Sequence, residues 1–270
     1  MSPKPKHIDY KKELNSAQLE AVMFDDGPLL VIAGAGSGKT RTLTYRVARL
    51  VEAGVPPAAI LLLTFTRKAS AEMLTRACRL LDDRCGKVSG GTFHSFANAI
   101  LRRYAAVCGF GSGFSIMDRA DAESLIGMVK KELGLSAKKR GVPRNQTLAN
   151  IFSRAVNKGL SVDEVVFNDY PHFTLAADDL TTLFSLYSER KLQLNFVDYD
   201  DLLVYLYRLL RDRPDIRHNL SATYRYIMVD EYQDTNHLQA EILYHLADRN
   251  HNVMAVGDDS QSIYAFRGAN

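Results

Sequence analysis

The chain has 270 residues, enough for one large domain or two smaller ones around a substantial core. It is 46% hydrophobic and 24% charged, as in soluble globular proteins, and no apolar run reaches the roughly 20 residues that cross a bilayer, which excludes a helical membrane protein. The net charge of +3, from 34 basic and 31 acidic residues, permits a nucleic-acid partner without demanding one.

The opening stretch MSPKPKHIDYKKELN is polar and basic with no apolar segment, so it does not read as a secretory signal. Leu29–Ile32 is the first short apolar run and reads as a buried strand. Leu43, Val47, Leu50 and Val51 then fall on one face of a helix that starts near Thr40 and is stopped by Gly54 and Pro56-Pro57. Ile60–Thr64 is a second strand. Cys78, Cys85 and Cys108 are odd in number and lack CxxC spacing, which fits a reduced, cytoplasmic protein without disulfides or zinc. From Tyr104 to Arg190 no strand run is clear; Leu125, Ile126, Val129 and Leu133 give a helical period, and Lys138-Lys139-Arg140 with Arg144 form a basic cluster. Leu203, Leu206, Tyr207 and Leu210 mark a further helix, Ile227–Asp230 a third strand, Leu238, Ile242 and Leu246 a helix, and Val253–Gly257 a fourth strand. The strands are nearly continuous apolar runs, as expected of a parallel sheet covered on both faces. Strand–helix alternation predicts an α/β fold with ligands at the C-terminal strand ends. The expected organisation is an α/β domain at 1–103, a mostly helical inserted subdomain at 104–190, and the return of the α/β domain at 191–270.

The strand LLVI runs directly into AGAGSGKT, Ala33 to Thr40, and then into a helix, the context a phosphate-binding P-loop requires. Small residues at Ala33, Gly34, Ala35, Gly36, Ser37 and Gly38 let backbone N–H groups close around a triphosphate, and the following helix presents its positive end. Lys39 is expected to reach the β- and γ-phosphates and the Thr40 hydroxyl to hold Mg²⁺. Ala33 stands where the general pattern opens on Gly. A glycine-rich turn that binds nothing is the alternative, and the flanking strand and helix weigh against it. A second acidic centre lies in DEYQD, where a strand ends in Asp230-Glu231. Asp230 can hold Mg²⁺ through water, and Glu231 can take a proton from the attacking water. The expected geometry sets the Lys39 loop and these carboxylates on neighbouring strand ends around one magnesium-bound triphosphate.

These blocks, in this order, resemble the UvrD/Rep family of superfamily-1 DNA helicases. LNSAQLEAV looks like that family's Q motif, which implies that Gln18 reads the adenine edge, a pairing open to a carboxamide; by its pattern alone Gln18 is a surface glutamine of an amphipathic helix. AGAGSGKT matches the family's phosphate loop including the alanine start, and Arg41 matches a position that contacts nucleotide. ILLLTFTRKASAEM resembles motif Ia, which implies DNA contact by Phe65, Thr66 and Arg67, although the family usually has Asn at the Arg67 position. GTFHSF resembles motif Ib, with His94 near the DNA backbone; on its own a lone His beside apolar residues is more often part of the core. FVDYDDLL, from Phe196 to Leu203, resembles the acidic block that follows the insert, its carboxylates as easily structural as functional. GDDSQSIYAFRGAN resembles motif III, with Gln261 as γ-phosphate sensor, Tyr264 and Phe266 as base-stacking aromatics and Arg267 as the adjoining cation. The family usually carries Trp at the Phe266 position, and Ser260 replaces a more usual acidic residue. By spacing alone, Tyr264 and Phe266 read as core residues.

The resemblance implies a RecA-like P-loop NTPase fold and the ATP- and single-stranded-DNA-binding half of an ATP- and Mg²⁺-dependent translocase and 3′-to-5′ helicase acting at single-strand/duplex junctions. Relatives continue past motif III into a second RecA-like domain, so the chain reads as a fragment expected to bind ATP–Mg²⁺ weakly, hydrolyse it slowly and not unwind duplex by itself. Three alternatives stand beside this. A nucleotide-gated DNA-binding module without turnover has no need of Glu231 or Gln261. A P-loop phosphotransferase leaves TFTRKAS and QSIYAFRG unexplained. The motor part of a recombination helicase–nuclease differs only in what lies beyond residue 270.

Overall fold

The structure is a computed structural model and describes residues 7–111, 113–135 and 141–258. The chain opens with α1 (Tyr10–Glu13) and α2 (Ser16–Met23), then β1 (Leu29–Ile32), α3 (Lys39–Glu52), β2 (Ile60–Leu63), α4 (Arg67–Leu80), β3 (Ser89–Gly91) and α5 (Phe93–Arg103). There follow β4 (Ser115–Ile116), the helices α6 (Arg119–Glu132), α7 (Asn145–Lys158), α8 (Val162–Asp169) and α9 (Ala177–Gln193), and β5 (Phe196–Val197). The last part holds α10 (Tyr199–Asp212), α11 (Pro214–Thr223), β6 (Tyr226–Val229), α12 (His237–Leu246) and β7 (Val253–Gly257).

β1, β7, β6, β2 and β3 lie side by side in that order, all parallel. α3 and α4 cover one face, burying Leu43, Val47, Val51, Met73 and Ala77 against Ile60, Leu62 and Met228. α5, α10, α11 and α12 cover the other, where Phe93, Leu203, Leu206 and Ile242 meet Leu61, Leu63, Ile227 and Val229. This is the α/β fold with a parallel sheet that the apolar runs predict. Crossovers that step from β1 and β2 toward β3 use the first face, and those that step back toward β7 use the second, as one fixed crossover hand requires.

Two expectations need correction. The phosphate-loop strand β1 and the acidic strand β6 are not neighbours, because β7 lies between them. A run of similar apolar strands carries no information about lateral order, and two groups that face one ligand need not stand on adjacent strands. Nor is every strand covered on both faces. β1 is an edge strand, and Leu30 and Ile32 are 60% and 64% exposed because no helix of the described residues lies over that part of the second face.

Three elements leave no trace in the periodicity. β3 is Ser-Gly-Gly, chosen for closeness rather than strand propensity: a Cβ on Gly90 would sit 2.5 Å from Ser70 Oγ and 2.7 Å from Leu74 Cδ1 of α4. β4 and β5 are two residues each and pair in parallel, Ser115 with Phe196 and Ile116 with Val197, closing the neck of the helical insert. Beyond that neck α6, α7, α8 and α9 form a core of their own around Ile126, Leu148, Phe152, Val165 and Leu180. Ala105, Phe110 and Phe114, ahead of the neck, pack into the sheet's second face instead.

Candidate nucleotide and nucleic-acid site

At the C-terminal end of β1 the ladder continues one residue, Ala33 N–H donating to Gly257 O at 2.9 Å, before the loop turns away. Gly34, Ala35, Gly36 and Ser37 are exposed. Gly36 and Gly38 have φ of +75° and +89°, and a Cβ on Gly38 would lie 2.5 Å from Gln18 Nε2, so glycine is required at 38 on both counts. α3 starts at Lys39 with no side chain capping its first turn. Its leading N–H groups therefore point into the loop, a ready acceptor for an anion. Thr40 is the second residue of that turn and lines the adjoining cleft with Phe65, Asp230 and Glu231.

β6 delivers the acidic pair. Asp230 N–H donates to Leu63 O at 2.9 Å, which holds Asp230 in the sheet. Glu231 then adopts φ 51°, ψ 50°, a left-handed conformation that non-glycine residues take at a cost of about 1–3 kcal/mol and that clusters at functional sites. Lys39 Nζ reaches across the end of β7 to 3.6 Å from Glu231 Oε2 and 3.7 Å from Asp258 Oδ2. The intervening strand thus contributes a third acid to the group that the sequence placed on adjacent strands. Lys39 Nζ and Asp230 Oδ1 are both buried, and neither has a hydrogen-bond partner among the described residues. Burial, reinforced by Glu231, pushes the Asp230 carboxyl up to about 6, and the same two causes raise that of Asp234. A buried ammonium and a buried carboxylate oxygen left without a hydrogen bond are costly unless a ligand completes them. A phosphate oxygen and a magnesium ion are the complements these two atoms lack, so the residues present fit Mg²⁺–nucleotide.

Gln233 fixes the arrangement. Its Nε2 donates to Glu231 Oε2 at 2.7 Å, and its Oε1 accepts from Asp258 N–H at 2.9 Å. A Cβ on Gly257 would come within 2.7 Å of that Oε1, so Gly257 makes room for the clamp. Gln233 and Asp258 were not singled out from the sequence. Asp258 carried a usable signal, an acid just past an apolar strand like Asp230, while Gln233 carried none. Gln18 lies beside the loop, but both ends of its carboxamide are engaged. Nε2 donates to Ser37 O at 2.9 Å, and Oε1 accepts from Asn15 N–H in the capping box of α2. Arg41 is bound to Glu13 at 3.0 Å and to Tyr45 OH at 3.2 Å.

The expected DNA residues lie on the far side of the acidic pair. Phe65, at the end of β2, is 45% exposed. Thr66 caps α4, accepting from Ala69 N–H at 3.1 Å, and Arg67 opens that helix on the surface. His94, half-buried in the first turn of α5, packs edge-on to Tyr199 at 6.0 Å between ring centroids. Phe65, His94 and Tyr199 share a cleft of about 620 Å³ with Arg154 and Tyr170 of the insert side. Tyr199 is 61% exposed, an aromatic platform that the acidic appearance of its block had hidden. Gln261, Tyr264, Phe266 and Arg267, like Lys138-Lys139-Arg140, lie outside the described residues.

Residues 14–270 match the UvrD/REP helicase N-terminal domain. The chain belongs to this family. The ATP-dependent DNA helicase UvrD1 of Mycobacterium tuberculosis is 40% identical over 274 residues, covering 95% of this chain and 34% of that protein. The ATP-dependent DNA helicase PcrA of Bacillus subtilis is 39% identical over 257 residues, and that of Staphylococcus aureus 38% over 259, with the same coverage. The chain thus spans about a third of the length of the curated relatives it matches. As a UvrD/REP N-terminal domain it has, among the described residues, no helix long and apolar enough to cross a membrane. No group of three or more His, Cys, Asp or Glu among them is arranged to hold a metal ion.

Proposed function

We propose that this chain is the ATP- and single-stranded-DNA-binding half of a 3′-to-5′ DNA translocase and helicase. The observation that carries the proposal is the buried pair Lys39 Nζ and Asp230 Oδ1 at one end of the sheet, neither with a hydrogen bond among the described residues. Lys39 and the first turn of α3 bind the β- and γ-phosphates, and Thr40 and Asp230 hold the Mg²⁺ ion. That ion neutralises charge on the terminal phosphates. Glu231, fixed by Gln233, takes the proton of the attacking water. Gln261 senses the γ-phosphate. For Gln18 to read adenine, its carboxamide exchanges the bond to Ser37 for one to the base; Arg41 likewise turns from Glu13 to the nucleotide.

Single-stranded DNA lies in the aromatic cleft, where Phe65 and Tyr199 offer faces on which any base stacks, and Tyr264 and Phe266 stack on further bases. Thr66, Arg67, His94 and Arg267 hold its backbone, and the insert meets the single-strand/duplex junction. The activity requires further domains of the kind that make the relatives about three times as long. A DNA-stimulated ATPase assay on the full-length protein tests this: the expected result is turnover that rises with oligo(dT). ATP binding without any stimulation overturns the motor in favour of a nucleotide-gated DNA-binding module.

A further inference from the structure

Where the helical insert meets the nucleotide side of the domain, a half-buried amide links the two. Asn157, in the last turn of α7, donates from Nδ2 to Asp200 Oδ1 at 2.8 Å and accepts at Oδ1 from Asn236 Nδ2 at 2.7 Å. The orientation of the amide is set by Ser153, whose backbone carbonyl can only accept and takes a second hydrogen bond from Nδ2 at 2.8 Å. Asn236 is the buried N-cap of α12, bound reciprocally to Gln239. It ends a train of tight turns that begins at Glu231: Asp234 N–H donates to Glu231 O at 2.9 Å and Thr235 N–H to Tyr232 O at 3.0 Å. Two residues after Asn157, α7 ends at Gly159, where a Cβ would stand 3.4 Å from His237. One helical turn before Asn157 the same face of α7 carries Arg154 into the aromatic cleft. A displacement of α7 by anything filling that cleft therefore bears on Asn236 and, through the turns, on Glu231.

We propose that Asn157 is a positioning residue that couples occupancy of the aromatic cleft to the nucleotide site. The inference rests on the reading that the chain binds both nucleotide and single-stranded DNA. The carrier is one amide set between a carboxylate of α10 and an amide of the segment after Glu231. Asn157, Asp200 and Asn236 also line the aromatic cleft, so an occupant bears on this hydrogen-bonded path directly as well as through α7. Coupling between sites is reciprocal, so it can be read from either ligand.

The experiment titrates Mg²⁺ and a fluorescent ATPγS analogue into the 270-residue chain, with and without saturating oligo(dT). In the wild type oligo(dT) is expected to shift nucleotide affinity by about fivefold or more, a common size for coupling between sites. Asn157→Asp sets two carboxylates against each other and should bring the ratio to within about twofold of one, the scale on which mutations along such a path act. The exchanged pair, Asn157→Asp with Asp200→Asn, again leaves one carboxylate and two amides in the path, the carboxylate now in the middle accepting from both, and should restore the wild-type ratio. A purely structural role would lower the melting temperature of the single variant and leave the ratio intact. If Asn157→Asp does not fold, Asn157→Ala carries the same test. A wild-type ratio kept by the single variants, or not restored by the exchange, overturns the inference. So does a wild-type ratio of one, which leaves nucleotide and DNA binding standing. Failure of the wild type to bind either ligand overturns the proposed function itself, and the inference with it.

Discussion

Asp230→Asn should make the ligand-free domain more stable while depriving it of its metal ligand. Asp230 is 8% exposed, its Oδ1 has no hydrogen bond among the described residues, and Glu231 follows it directly. Its carboxyl is raised from 3.8 to about 6, by burial first and Glu231 second. An acid whose folded value lies above its unfolded one favours folding when protonated. The penalty is therefore absent below pH 3.8, grows as pH rises, and is complete above about 6. At about 1.4 kcal/mol per unit, a rise of roughly two units corresponds to about 3 kcal/mol at pH 8, and to about half of that at pH 5. Asparagine keeps the shape and removes the charge. Urea unfolding in a chelator, without nucleotide, should find the variant more stable by about 3 kcal/mol at pH 8, with a smaller gap at pH 5. Adding Mg²⁺ and ATP should narrow the difference, because only the wild type gains the metal contact. Equal stability at pH 8, or a less stable variant, would refute the reasoning that this carboxylate is held ready at the expense of stability.

Glu231→Gln should leave Mg²⁺–ATP affinity within about twofold and lower DNA-stimulated turnover of the full-length protein by about 100-fold or more, as loss of a general base does; unchanged turnover excludes Glu231 as the base. Gly38→Ala forces a Cβ toward Gln18 Nε2 at 2.5 Å in a left-handed backbone. It should lower stability by about 1–3 kcal/mol, read as a fall in melting temperature, and weaken nucleotide binding. Phe65→Ala should weaken oligo(dT) binding by about 1–3 kcal/mol, the worth of one stacked base, with ATPγS affinity in the absence of DNA unchanged. Fluorescence anisotropy of a labelled oligonucleotide checks the first part, and an undiminished affinity removes Phe65 from the path.

The four strands that build the centre of the sheet were legible because each is an apolar run bounded by turn residues. The helices carrying Leu43, Leu125, Leu203 and Leu238 were legible by their period. What failed was lateral order: β7 separates β1 from β6, and only the fold reveals that Asp258 therefore sits 3.7 Å from Lys39. β3 was invisible because Gly90 admits α4 and Gly91 admits Ser95 of α5 where branched residues would mark a strand. β4 and β5 were invisible because two residues have no period. In the site, Lys39, Thr40, Asp230 and Glu231 were legible because each is tied to a strand end by local sequence. Gln233 was not, since a glutamine two residues past an acidic pair signals nothing until Asp258 is brought beside it. Tyr199 was overshadowed by the carboxylates on either side of it. For Gln18 nothing in the sequence signalled the bond that its Nε2 donates to Ser37 O beside the phosphate loop.

All the proposed chemistry depends on a single Mg²⁺–triphosphate lying between the phosphate loop and the acidic strand ends, over the end of β7. A crystal structure of the domain with Mg²⁺ and a non-hydrolysable ATP analogue measures this directly. The account predicts Lys39 Nζ drawn off Glu231 and Asp258 onto the terminal phosphates, with the ion between Thr40 and Asp230. A triphosphate seated elsewhere, with Lys39 still between those two acids, would contradict it.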